Sequence, residues 1–157
     1  MNERVMKYRR LSNQELESFE KEFIGFLVVN GIDADEWINI KKTDLNRTHA
    51  LLEEFSDVIL EGILTKIMYI EYFGDEGLKL FKCDENTIFL IGIEPPNSFT
   101  NLETMVADLS KHPDAYSIYY TSKDYIPDRN TELFRMIQSG GLVSNGHYYN
   151  QFSKQEI

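Results

Sequence analysis

The sequence predicts an α+β fold: an N-terminal helical hairpin packed with an antiparallel-dominated sheet of about four strands, with further helices after strands three and four. Three observations predict it. Apolar residues in the first 66 positions recur at three- and four-residue steps, the signature of one helix face. From Ile67 the period drops to two, and β-branched and aromatic residues dominate. The predicted strands are joined by Gly74-Asp75-Glu76-Gly77 and Asp84-Glu85-Asn86, connections that suit antiparallel neighbours and are too short for a parallel crossover.

The first helix opens on a capping box. The Ser12 hydroxyl can accept from the backbone three residues on, and Glu15 can reach back to the Ser12 N–H. Leu16, Phe19, Phe23, Phe26 and Leu27 form one apolar face, and Glu17, Glu20, Lys21 and Glu22 take the other. Gly31 is placed as the left-handed residue that ends the helix. Asp33 then caps a short helix with Trp37, Ile38 and Ile40, and Asp44 or Asn46 starts a long one. Its stripe is Leu51, Leu52, Phe55, Val58, Ile59, Gly62 and Ile63, ending near Lys66.

Strands are predicted at Ile67 to Phe73, Leu78 to Cys83 and Thr87 to Ile93. The third is apolar on both faces and so belongs in the interior of the sheet. Pro95-Pro96 breaks the chain, and Thr100 with Glu103 reads as a second capping box, opening a helix with Leu102, Met105, Val106 and Leu109. Pro113 ends it. Tyr116 to Thr121 is a fourth strand, and Asn130 to Ser139 a helix stopped by Gly140-Gly141. Residues 142–152 suit either a last strand or a short helix capped by Ser144; we expect the helix. One domain is expected over residues 6–152, with 1–5 a flexible extension and 153–157 frayed.

Composition narrows the function. The chain has 157 residues and a net charge of −10, so its average surface repels a phosphate backbone and no nucleic acid is expected as a partner. Contact through the small basic cluster Lys7, Arg9 and Arg10 is the one exception. The apolar runs Ile24 to Val29 and Ile88 to Ile93 are too short to span a bilayer, so no membrane partner is expected. Cys83 is the only cysteine, which excludes an intramolecular disulfide and points to a reducing cytoplasm.

The opening Met6-Lys7-Tyr8-Arg9-Arg10-Leu11, then Glu15-Leu16, Glu20-Lys21-Glu22-Phe23, Phe26-Leu27 and Asn30-Gly31-Ile32 with Trp37, resembles the start of a family of uncharacterised small bacterial cytosolic proteins, a domain of unknown function. Phe55-Ser56-Asp57-Val58, Phe81-Lys82-Cys83, Tyr116-Ser117-Ile118-Tyr119 and the segment from Glu132-Leu133-Phe134 to Gly141-Leu142 extend the likeness over roughly residues 6 to 150. The resemblance brings no activity, cofactor or catalytic residue. It implies only that the shared portion starts near Met6.

No catalytic motif stands out. His49, His112 and His147 are scattered, without zinc spacing to each other or to Cys83, so no metal and no cofactor is expected. The glycines do not form a phosphate loop, and Ser139 and Ser144 lack a nucleophile-elbow context. Cys83 beside Asp84 and Glu85 lacks the cation that lowers a thiol pKa. Asp57 and Glu71 sit among apolar and aromatic residues and are candidates for perturbed carboxylates. The tyrosines are the most suggestive set: Tyr116 and Tyr120 share one face of their strand and Tyr119 points the other way, and tyrosine is enriched at interfaces.

The sequence therefore favours a non-enzymatic protein that acts through a protein partner or as a homo-oligomer, with Arg9, Arg10, Tyr116, Tyr119 and Tyr120 as candidate contact residues. The alternative is a small-molecule-binding or hydrolytic enzyme with a dispersed site drawn from Glu71, Cys83 and His112. The lead-in Lys7 to Arg10 precedes the helix cap and owes nothing to helix formation; pairing with acidic groups so as to pin the N-terminus to the sheet is its expected structural use.

Overall fold

The computed structural model describes residues 5–153. Seven α-helices and a five-stranded antiparallel sheet account for them, a mixed α+β chain. Its contacts gather into two compact units, Met1–Ile63 and Leu64–Ile157.

The first unit is helical: α1 (Asn13–Ser18), α2 (Glu20–Val29), α3 (Ala34–Thr43) and the greater part of α4 (Leu45–Lys66). The predicted first helix is thus two. The capping box forms as expected, but at Phe19 the backbone leaves the helical region (φ −106°, ψ 25°). The Ser18 hydroxyl donates to the Glu15 carbonyl, and the Phe19 N–H is shared between the Glu15 and Leu16 carbonyls, so the ladder tightens and breaks there. At the other end, Gly31 has φ 74°. Its N–H donates to the Val28 carbonyl and that of Ile32 to the Leu27 carbonyl, a Schellman closure. Leu27 and Ile32 bury together with Ile40 and Leu51. Phe23 packs edge-on against Trp37 and Phe55, at centroid distances of 5.1 and 4.9 Å. Asp33 and Asp44 cap α3 and α4 by accepting from Glu36 N and Arg47 N.

The second unit holds β1 (Tyr69–Gly74), β2 (Gly77–Cys83), β3 (Thr87–Glu94), α5 (Leu102–Lys111), β4 (Ser117–Asp124), α6 (Arg129–Gln138), β5 (Leu142–Val143) and α7 (His147–Ser153). The spatial order is β4-β3-β2-β1-β5, every neighbour antiparallel. β3 lies inside the sheet, as its two apolar faces require. α5 is capped by Asn101, which accepts from Thr104 N, and not by the Thr100–Glu103 box expected from the sequence. Asn is at least as good a cap as Thr, and this start turns Met105 and Leu109 into the core. The tail is both strand and helix. Leu142 and Val143 pair with Glu71 and Ile70, the Ser144 N–H extends that pairing to the Tyr69 carbonyl, and the chain then turns into α7.

Leu78, Leu80, Ile91 and Ile93 cluster with Met105 and Leu109 of α5, with Tyr116 and with Phe152 of α7, so α5 and α7 cover one face. The other face carries Ile70, Tyr72, Phe81 and Cys83 and is tied to α6, where the Tyr72 hydroxyl donates to the Met136 carbonyl and Leu133 is fully buried.

Candidate functional site

The turn Gly74-Asp75-Glu76-Gly77 sets the register of the site. Gly74 opposes Gly77, which places Tyr72 beside Lys79 and Ile70 beside Phe81. The β2–β3 and β3–β4 registers continue these rows, giving Tyr72, Lys79, Gly92 and Tyr119 in one, and Ile70, Phe81, Leu90 and Thr121 in the next. Opposed residues of antiparallel strands share a face, so these side chains all project on the α6 side. Gly92 must be glycine: a Cβ there would fall inside the Tyr119 ring, which lies across it. Gly77 takes φ 109°, and a Cβ would collide with the Ile93 carbonyl.

Between α6 and the β1–β2 turn this face opens into a cleft of about 520 Å³. Tyr72 and Phe81 form its aromatic floor, at a centroid distance of 5.9 Å and edge to face. Met136 and Glu132 come from α6, Lys79 from β2 and Lys123 from β4, and Asp75 and Glu76 stand at the rim. Lys123 is bound: its Nζ lies 2.6 Å from Glu132 Oε2. The same carboxylate accepts from the Ile126 N–H at 2.8 Å. Half-buried Lys79, by contrast, makes no ion pair or side-chain hydrogen bond among the described residues.

The candidates read from the sequence are placed as follows. Glu71 and Cys83 project from opposite faces, because Glu71 opposes Leu80 on the α5 side and Cys83 is two steps along from Phe81 on the α6 side. His112 is exposed at the C-terminal cap of α5. Cys83 is fully buried. Burial, with some help from the Asp84 and Glu132 charges, pushes its thiol up to about 12, although Arg129 pulls the other way. Tyr116 lies just ahead of β4 and is core. Its hydroxyl donates to Asp108 Oδ2 at 2.7 Å, and burial, reinforced by that carboxylate, pushes it up to about 12. Tyr119 and Tyr120 are on β4, 37% and 38% exposed and on opposite faces.

The basic lead-in is taken up inside the first unit. Arg9 makes a bidentate pair with Glu15, with N···O distances of 2.8 and 2.9 Å. Arg10 Nη1 lies 2.8 Å from His49 Nδ1. The Lys7 and Tyr8 backbone N–H groups donate to the Asp57 carboxylate, the Leu11 N–H donates to Ser56 Oγ, and the Tyr8 hydroxyl and Lys7 ammonium reach Glu61. The lead-in from Lys7 to Leu11 is thus pinned to α4, where a tie to the sheet was expected. Asp57, only 6% exposed, is a backbone clamp.

Two parts of this arrangement escaped the sequence reading. The Lys79–Tyr72–Phe81 surface was not read, although its signal, a two-residue turn that dictates the register, was there. Arg129 was not read either. It donates to the carbonyls of Leu64, Ile67, Cys83 and Asp84 and to Asn130 Oδ1, gathering the end of α4, the start of β1 and the end of β2. Its signal was a cation at the first position of a helix, where the dipole disfavours it. No group of three or more His, Cys, Asp or Glu able to hold a metal ion occurs among the described residues. No helix among them is long and apolar enough to cross a membrane.

The chain belongs to a family of unknown function, DUF6495, which it matches over residues 6–156. No curated protein matches it, and no solved structure does.

Proposed function

We propose that this protein acts without catalysis in a bacterial cytoplasm, by association, and that a second copy of the chain adds along the outer edge of β4. One observation carries the reading: an eight-residue strand closes the sheet, pairs among the described residues only with β3, and is exposed along nearly its whole length. Edge strands of monomers are normally short, charged or covered, because their free N–H and C=O groups invite another strand. Here Ser117 to Ser122 carry no charge, Tyr119 and Tyr120 offer exposed rings, and a recess of about 250 Å³ beside Tyr120, Ser122 and Tyr149 could take a partner side chain. A two-fold axis through Tyr120 or Thr121 would oppose no like charges along β4, so the edge is self-complementary. The separation of Glu71 and Cys83 onto opposite faces supports association over the dispersed hydrolytic set. The lone, buried Cys83 suits a reducing compartment.

Light scattering across a concentration series tests this. A dimer is expected, and because each copy carries a charge of −10, added salt should strengthen it. Thr121→Lys, which sets two ammonium groups against each other near the axis, should return the monomer. A wild-type chain that stays monomeric at a few hundred micromolar in high salt ends the self-association reading.

A further inference from the structure

We propose that the cleft over Tyr72 and Phe81 binds a small molecule with a flat apolar body and a single carboxylate, which pairs with Lys79. This goes beyond association at the β4 edge and does not depend on it. The cleft volume of about 520 Å³ suits a small ligand, since such sites commonly span about 300–1,000 Å³. Tyr72 and Phe81 give it an aromatic floor, and Met136 adds a thioether that adapts to ring edges. The register directs Lys79 onto this surface beside Tyr72.

The charges bordering the cleft decide the ligand class. Lys123 is already neutralised by Glu132. Lys79 is the cation left without a carboxylate among the described residues, and half-burial makes an ammonium seek one. Asp75 and Glu76, exposed on the turn, face any ligand charge that projects out past the rim. They tolerate one anionic group seated against Lys79 and repel a second, which selects a monocarboxylate over a phosphate or dicarboxylate. The recess lined by Asn145, His147, Asn150 and Gln151 lacks a lysine or arginine, and so does the one beside Phe89, Tyr120 and Tyr149.

Amide-shift NMR titration of the full chain tests the proposal, with 1-naphthoate, its neutral isostere 1-naphthamide, and 1-naphthyl phosphate as probes. Naphthoate should produce saturable shifts at Gly74, Gly77, Lys79, Phe81 and Met136. The amide and the phosphate should each bind roughly tenfold more weakly. Lys79→Gln should reduce naphthoate to the level of the amide, and Lys79→Arg should restore the difference. Equal binding of naphthoate and naphthamide by the wild-type chain, or shifts centred away from β1, β2 and α6, would overturn it. A strictly monomeric protein would leave it standing.

Discussion

Arg129→Met should cost about 3 kcal/mol of stability, more than a substitution at a half-exposed surface position normally does. The side chain makes five hydrogen bonds, using the full donor set of a guanidinium. Two of the carbonyls keep other partners: Leu64 O still accepts from Ile67 N, and Asp84 O from the Tyr125 hydroxyl. Losing a charged donor there costs each well under its full bond. Ile67 O has no other described partner outside the strand and helix ladders, and so loses about 1–3 kcal/mol. The Cys83 and Asn130 acceptors add roughly 1 kcal/mol together. Methionine retains an apolar stem of similar reach, so the loss reports donors and not packing. A lysine at this position would keep the charge but supply three donors on one atom, and Arg129→Lys should recover about half the loss. Urea unfolding followed by circular dichroism, with unchanged m-value, measures this. The expected fall in Tm is about 6–12 °C, taking about 2–4 °C per kcal/mol for a chain of this size. A loss under about 0.5 kcal/mol, or Arg129→Lys as damaging as Arg129→Met, would refute the idea that the carbonyls depend on the fork.

Two further predictions concern titration. Arg9, followed by the Ser12 backbone N–H, holds the Glu15 carboxyl down at about 2, against an ordinary value of 4.5. A depressed carboxylate stabilises the fold fully above its unfolded pKa, and that contribution fades as pH falls from about 4.5 through about 2. Arg9→Gln should therefore be destabilising at pH 6 and converge on the wild type near pH 2; urea midpoints that stay parallel across that range would contradict the pairing. Cys83, with its thiol pushed up to about 12, should react with a disulfide reagent at pH 8 on the order of a thousandfold more slowly than in denaturant. Comparable rates in the two states would mean that the thiol is accessible as thiolate.

Much of the fold could be read locally. Ser12 with Glu15, Asp33, Asp44 and Gly31 act through groups within a few residues of themselves, so their roles follow from sequence spacing alone. The errors arose where two local solutions compete. Thr100 and Asn101 are both good caps, and which one serves depended on turning Met105 toward the sheet. Phe19 continues an apolar stripe, yet Ser18 competes for the backbone there. Residues 142–152 held strand and helix signals together because both occur, with only Leu142 and Val143 able to reach a partner on β1.

The site divides the same way. That Tyr72 stands beside Lys79, and that both share a face with Phe81, follows from counting across a two-residue turn. That α6 leaves a cleft over those three is a matter of where a helix packs some fifty residues later, which no local pattern encodes. The tyrosines of Tyr116 to Tyr120 were legible as one group; the fold divided them, because the strand begins at Ser117 and leaves Tyr116 in the core. The basic lead-in was legible as charge seeking acid, but its partner helix was not, since Asp57 and Glu61 lie about fifty residues away and long-range pairs leave no mark on spacing.

The sequence by itself determined most element types, the caps at Ser12, Asp33 and Gly31, the register across the β1–β2 turn and the acidic balance, because each depends on neighbours in the chain or on sums over it. Only the tertiary structure decided that Lys79 has no acid partner among the described residues while Lys123 has one, that Arg129 binds four distant carbonyls, and that β4 is an outer strand. Each of these depends on which groups the folded chain brings together, and so on free energies that exist only after distant segments have met.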